Sequence, residues 1–253
     1  MSEIDYFQRL TEVFTFDNTP LLVGACVSNI VGYIQYAYVV RLTHREGRNP
    51  MPYWMHSFYL AHDSSWSYIL AKAAPSYGNH WFLSGMSTAL LVWTFLEAWT
   101  MYKSITTDRE LNFAPVLGRN PSLPAAAAYA AAHLAAMYAL IHVVILLFPT
   151  GGVLHWCLLT NVLIATGPLH HNLRAGSRQG LSLGYSLVCI FGTFWTFSPF
   201  GLFVNALPEL FDTPVFYAVG VVFTIYCAGC FYVVAQYPPK TRAMTKGGKE
   251  PIW

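Results

Sequence analysis

The stretch from Pro214 to Gln236 reads PVFYAVGVVFTIYCAGCFYVVAQ and contains no charged side chain. A helix needs about 20 such residues to cross the ~30 Å hydrocarbon core of a bilayer. Working outward, further apolar runs of that length lie at 20–41, 52–72, 81–103, 125–148, 152–170 and 181–203. Turn formers separate them, at Gly47 to Pro50, Pro75 to Asn79, Asn120 to Pro124, Pro149 to Gly152, Gly176 to Gly180 and Pro208 to Pro214. The expected fold class is all-α, a polytopic membrane helix bundle of about seven transmembrane helices. It comprises a short N-terminal segment 1–19, a transmembrane domain 20–237 and a basic tail 238–253.

Composition agrees. Of 253 residues, 55% are hydrophobic, 16% aromatic and only 10% charged, whereas ordinary soluble domains carry roughly 25% charged residues. The net charge of +2 is too small to argue for a nucleic-acid partner, and no basic stretch in a soluble region is interleaved with aromatics, so none is expected. Cys26, Cys157, Cys189, Cys227 and Cys230 all fall in apolar runs, so they read as small buried hydrophobes, including the C-x-x-C pair Cys227 and Cys230. The N-terminal segment carries Glu3, Asp5, Glu12 and Asp17 and no apolar h-region, so a cleaved signal peptide is not expected.

The basic residues test the span count independently. With seven spans, one side holds Arg41, Arg45, Arg48, Lys103, Arg109, Arg119, Arg174, Arg178, Lys240, Arg242, Lys246 and Lys249, and the other holds only Arg9 and Lys72. Cytoplasmic loops are enriched in Lys and Arg, so the N-terminus is expected outside and the C-terminus in the cytoplasm. The tail from Lys240 to Lys249 reads as a flexible basic segment beside anionic lipid headgroups. The Ala-rich start of the fourth run, Ala125 to Ala136, is expected to allow close helix packing.

An ionisable residue inside a span is costly and is a functional hypothesis by default. Asp63 in the second run and Glu97 in the third are the acids so placed, roughly 17 Å and 9 Å from the cytoplasmic ends of their helices at 1.5 Å per residue. His56, Tyr59, Asp63, Trp66 and Ser67 recur at helical spacing and make one polar and aromatic face. That stripe is either a polar seam between helices or the wall of an active site. Removal from water disfavours a charged carboxyl, so Asp63 is expected to hold a proton and to be able to donate it, with Glu97 or His62 orienting it or returning the proton. Phe191, Phe194, Trp195, Phe197, Phe200 and Phe203 crowd the sixth run, and ring faces attract desolvated cations. Phe194, Trp195 and Phe197, with Tyr226 from the last run, join Tyr59 and Trp66 as candidate substrate-binding residues.

No two of the nine histidines sit at i, i+3 or i, i+4, and His170-His171 stands alone. No metal or other cofactor is expected, although a metal or haem site assembled between helices stays open. Phosphate-binding loops, a G-x-S-x-G elbow, a G-x-G-x-x-G turn and a D-D-x-x-D cluster are all missing.

Three segments resemble the small seven-span membrane terpene cyclases of fungal meroterpenoid and indole-diterpene pathways and their bacterial relatives. They are Met51-Pro52 through His62-Asp63-Ser64-Ser65-Trp66-Ser67-Tyr68, then Arg174-Ala175-Gly176-Ser177-Arg178-Gln179-Gly180, and Cys230-Phe231-Tyr232-Val233-Val234-Ala235-Gln236-Tyr237. Asp63 stands where that family has its catalytic glutamate. The family's second acid, in the last span, is replaced here by Thr224, and no Asp or Glu occurs between Asp212 and Glu250. The resemblance implies a diphosphate-independent cyclase or isomerase that protonates an epoxide or alkene of a lipophilic isoprenoid, with Glu97 the candidate for the missing acid. Asp63, Glu97, His62 and His56 are then the candidate catalytic residues, and the partners are the isoprenoid and membrane lipids. The membrane is the endoplasmic reticulum for a fungal source and the cytoplasmic membrane for a bacterial one. Other expectations are a lipid isomerase with a histidine-bound metal or haem, or a non-enzymatic lipid-binding or transport protein.

Overall fold

Asn18, Ser122, Ser182 and Thr213 each precede a long helix. Their side chains accept from first-turn amides, at 3.5 Å from Leu21, 3.3 Å from Ala125, 3.1 Å from Tyr185 and 3.2 Å from Phe216. Such caps satisfy amides that the helix itself leaves unpaired. Pro20, Pro124 and Pro214 occupy first-turn positions, where a missing N–H costs nothing. These signals set the helix starts.

A computed structural model of the chain describes residues 4–173 and 176–253, and at 169, 170 and 172 the backbone alone. Arg174 and Ala175 of the Gly/Ser/Arg loop, and the His170 side chain, lie outside the described residues. In chain order the helices are α1 (Tyr6–Val13), α2 (Thr19–Glu46), α3 (Tyr53–Ala73), α4 (Trp81–Thr106), α5 (Arg109–Leu117), α6 (Leu123–Ile145), α7 (Val153–Leu173), α8 (Leu183–Thr196), α9 (Leu202–Ala206), α10 (Pro208–Phe211) and α11 (Pro214–Gln236). No strand occurs among the described residues. Each apolar run of the sequence contains one long helix. Four of them, α2, α4, α6 and α11, are long and apolar enough to cross a membrane and are compatible with an integral membrane protein.

The chain divides into two compact units, the first Met1–Glu12 with Pro52–His155, the second Val13–Met51 with Trp156–Trp253. In the first, α3 packs along α4 and also against α6. Ser67 and Ser87 lock the α3–α4 register reciprocally, each hydroxyl donating to the other's carbonyl at 2.8 Å. Ala126 and Ala130 of α6 are buried in a cluster with Tyr53, Met101 and Phe113, whereas the other alanines of the Ala125 to Ala136 stretch are exposed.

In the second unit, α8 packs against α2 and α11. The approach is close at Gly220, where a Cβ would lie 2.2 Å from Phe197 Cβ. The expected sixth run of 181–203 is cut short, because α8 ends at Thr196. Pro199 lacks a donor and disfavours helical geometry at Ser198. The Ser198 amide and hydroxyl turn back to the Trp195 carbonyl at 3.2 and 3.0 Å. The cysteines differ from their uniform reading: Cys189, Cys227 and Cys230 are buried, Cys157 is half-buried and Cys26 is exposed.

The C-terminal segment is folded rather than flexible. Glu46, buried at the last residue of α2, accepts from Lys240 Nζ at 2.8 and 3.0 Å, from the Ile252 amide at 3.1 Å and from the Gly180 amide at 2.8 Å. Arg45 donates to the Glu250 carbonyl at 3.0 Å, and Ser182 Oγ donates to the Trp253 carbonyl. Of the basic residues of the tail, Lys240 is thus held by a buried carboxylate, while Arg242, Lys246 and Lys249 stay exposed.

Candidate functional site

The polar stripe of α3 is buried along its whole length, at His56, Tyr59, Asp63, Trp66 and Ser67 alike. An unpaired polar group held away from water is costly, so their partners define the site. His56 Nδ1 lies 2.5 Å from Glu97 Oε2 across the α3–α4 seam, and His62 Nδ1 lies 2.7 Å from Asp63 Oδ1 within α3. Each intrahelical carboxyl singled out by the sequence is therefore matched with an imidazole. Glu97 is fully buried.

The geometry follows from helical arithmetic. Residues 56 and 63 are two turns apart on one face, so the two pairs are separated by roughly 10 Å of axial rise. The α3–α4 contact is antiparallel. Ser67 meets Ser87 at one end and His56 meets Glu97 at the other. Asp63 therefore lies between these two contacts. Of the two residues expected to orient it, His62 touches it, while Glu97 pairs with His56.

A second polar seam, which the sequence reading did not single out, joins α3 to α6. His133 Nδ1 lies 2.9 Å from Ser57 Oγ, and Ser64 Oγ lies 2.7 Å from Tyr138 OH. Ser57 and Ser64 are two turns apart on one face of α3. Their partners lie far along the chain, on α6, and carry no local spacing signal.

Two features bear on proton chemistry. Glu97 occupies His56 Nδ1, while buried His56 Nε2 has no hydrogen-bond partner. A carboxyl at one ring nitrogen fixes the ring's orientation and leaves the other nitrogen to exchange a proton. Trp66 follows Asp63 at i+3 and His62 at i+4, so it shares their side of the helix. Its buried Nε1 also has no partner. The first unit thus gathers two acids, two imidazoles and two aromatic rings, those of Tyr59 and Trp66, on one helix pair.

The remaining candidates belong to the second unit. Phe197 is buried against Phe216 and Phe223, with ring centroids 4.9 and 5.8 Å away. Trp195 donates Nε1–H to the Gly24 carbonyl at 3.2 Å and stacks on Phe191 at 6.1 Å. Phe194 and Tyr226 are exposed on α8 and α11. Within this unit Cys189, Cys227 and Cys230 line a small cleft of about 20 Å³ with Ile164, Ala165, Pro168, Tyr185 and Ser186. Cys227 Sγ donates toward the Ala165 carbonyl at 3.5 Å and lies 3.4 Å from Thr193 Oγ1. The C-x-x-C pair is thus set among packing contacts. Among the described residues no three His, Cys, Asp or Glu side chains are grouped to hold a metal ion.

No protein-family model, curated protein or solved structure matches the chain.

Proposed function

We propose that this chain is a membrane-embedded acid catalyst of the terpene-cyclase kind, acting on a lipophilic isoprenoid. The observation that carries the reading is the buried Asp63–His62 pair on a polar and aromatic helix face. The marked asymmetry of Lys and Arg between alternate loops supports seven spans with the N-terminus outside and the C-terminus in the cytoplasm. The resemblance of the α3 sequence to the membrane cyclases supports the substrate class. The membrane is the endoplasmic reticulum or the cytoplasmic membrane, according to source.

In this reading the Asp63 carboxyl donates its proton to an epoxide oxygen or to an alkene carbon of the substrate. With an epoxide, one C–O bond breaks, the oxygen becomes a hydroxyl, and the resulting carbocation is captured by the next double bond. The rings of Tyr59 and Trp66 present π-faces to the developing cation. A C–H proton leaves to close the sequence, and His56 Nε2, oriented by Glu97, accepts it. His62 is placed to exchange the proton that Asp63 gives up and regains.

Membranes containing the full chain, supplied with linear prenylated substrates with and without a terminal epoxide, test this. Cyclised product that survives EDTA and disappears in Asp63→Asn is the expected result. Product that persists in Asp63→Asn would remove Asp63 as the acid. Loss of product with EDTA would favour a metal-dependent lipid isomerase. A second reading draws on the spacing of the imidazole–carboxyl pairs along one buried helix, an arrangement that also suits a proton path in a transporter. Proton flux in proteoliposomes without chemical turnover would favour it.

A further inference from the structure

The folded C-terminal segment brings together basic residues that are dispersed in sequence. Arg41, Arg45 and Arg48 lie in and just beyond the last turns of α2, Arg178 lies in the loop before α8, and Lys240, Arg242, Lys246 and Lys249 lie in the tail. Contacts tie these segments into one neighbourhood. Arg45 donates to the Glu250 carbonyl, and Gln179 bridges the Glu46 and Met244 carbonyls at 3.3 Å each. Lys246 lies over Gly47, where a Cβ would be 2.8 Å from its Cε, and Gly180 lies against Arg48. Arg178 donates to the Val234 and Ala235 carbonyls at 3.0 and 2.6 Å, capping the end of α11.

The charge of this neighbourhood is one-sided. Its acids, Glu46 and Glu250, are already paired with Lys240 and Arg242. Arg41, Arg242, Lys246 and Lys249 are exposed, as is the indole of Trp253. Trp and cationic side chains together are typical of the membrane–water boundary.

Helix length fixes the depth. α2 has 28 residues, roughly 42 Å at 1.5 Å per residue, against a hydrocarbon core of about 30 Å. The ends of α2 therefore reach past the hydrocarbon, and its last turns stand among lipid headgroups. α11 also ends here, capped by Arg178.

We propose that the C-terminal end of α2, the 176–180 loop and the folded tail form a built platform for the headgroups of anionic phospholipids, with Glu46 as its internal scaffold. This inference rests on α2 and α11 being membrane spans and is independent of the chemistry proposed for Asp63. The platform differs in a testable way from a loose polybasic tail. A loose tail would bind anionic lipid more strongly when a negative charge is removed. The platform needs Glu46 to hold Lys240, the Ile252 amide and the Gly180 amide in place, so removing that charge weakens it.

The chain in nanodiscs of phosphatidylcholine, with and without phosphatidylserine, provides the test, with protein-associated lipid quantified by mass spectrometry. Phosphatidylserine should be enriched beside the wild-type protein, and salt should reduce the enrichment. Lys246→Gln with Lys249→Gln, both on exposed side chains, should lower the enrichment by roughly 5-fold per charge. Glu46→Gln should lower it as well, although it makes the protein more positive. Enrichment that is absent in wild type, or unchanged by the paired lysine substitutions, overturns the proposal. Enrichment that rises in a folded Glu46→Gln protein reinstates the loose tail. If Glu46→Gln does not accumulate as folded protein, the lysine pair and salt series decide alone.

Discussion

The His56–Glu97 pair makes a quantitative prediction, because it is both buried and tertiary. The two atoms are 2.5 Å apart, and both side chains are essentially without solvent contact. Removing one partner of a buried pair leaves the other polar and unpaired, which costs about 3–5 kcal/mol. Glu97→Met alone and His56→Leu alone should each destabilise by that amount. For a chain of this size about 1 kcal/mol moves the melting temperature by roughly 2–4 °C, so each single change should lower it by roughly 6–20 °C. The double substitution strands neither group and replaces the pair with apolar side chains, which is often close to neutral. It should recover most of the loss. Thermal unfolding of the detergent-solubilised full chain, compared at one scan rate because such transitions are often irreversible, completes the double-mutant cycle. Additive losses, with the double variant as unstable as the two single losses combined, would show that the pair contributes no coupling and would refute the reasoning.

The Ser67–Ser87 register predicts that Ser67→Cys with Ser87→Cys, in a chain whose native cysteines are replaced, forms a disulfide on mild oxidation. The two hydroxyls are 3.4 Å apart, and peptide mapping reads the result; Ser67→Cys paired with a cysteine at Thr94 should stay reduced. Gly220→Val should lower stability by about 1–3 kcal/mol, since a Cβ there meets Phe197 Cβ at 2.2 Å, and thermal unfolding measures it. Burial pushes the Lys240 ammonium below its ordinary value of 10.5, against the opposing pull of Glu46. Between its folded value and 10.5 the unfolded chain holds more protons, so this group's contribution to stability rises with pH across that window. The stability of wild type relative to Glu46→Gln with Lys240→Met should therefore increase as pH is raised toward 10.5, and a flat or falling difference would contradict the sign.

The sequence made the helices legible because the signals that set them are local. Apolar runs of spanning length, Asn18, Ser122, Ser182 and Thr213 as caps, and prolines in first turns all act over short separations along the chain. Asp63 and its stripe could be read for the same reason, since a helical face is a matter of spacing. The truncation of α8 was also present in Ser198-Pro199, but the apolar run continuing to Phe203 masked it. The His56–Glu97 pairing could not be read, because it depends on how α3 and α4 are staggered. The reciprocal Ser67–Ser87 bonds belong to the same stagger, and they too are polar contacts with no spacing signature. The tail misleads for a related reason. Glu46 closes α2, whereas the Lys240 and Ile252 groups it binds stand near the opposite end of the chain, and basic composition alone does not reveal a buried acceptor.

The two imidazole–carboxyl pairs also differ in what they need in order to exist. His62 and Asp63 are neighbours on one helix, so their contact requires little more than that α3 be helical and the face be removed from water. His56 and Glu97 meet only when α4 docks in register. If Asp63 is the donor and His56 Nε2 the acceptor, the donor end is set by secondary structure and the acceptor end by tertiary structure. A shift of one turn between α3 and α4, about 5.4 Å, would leave the Asp63–His62 pair intact and release His56 from Glu97. The α3–α4 stagger is therefore the element to which accuracy of the proposed chemistry is most sensitive. Substitution of Ser87, on the neighbouring helix and far from Glu97 along the helix pair, should alter product distribution before it alters the ability to protonate.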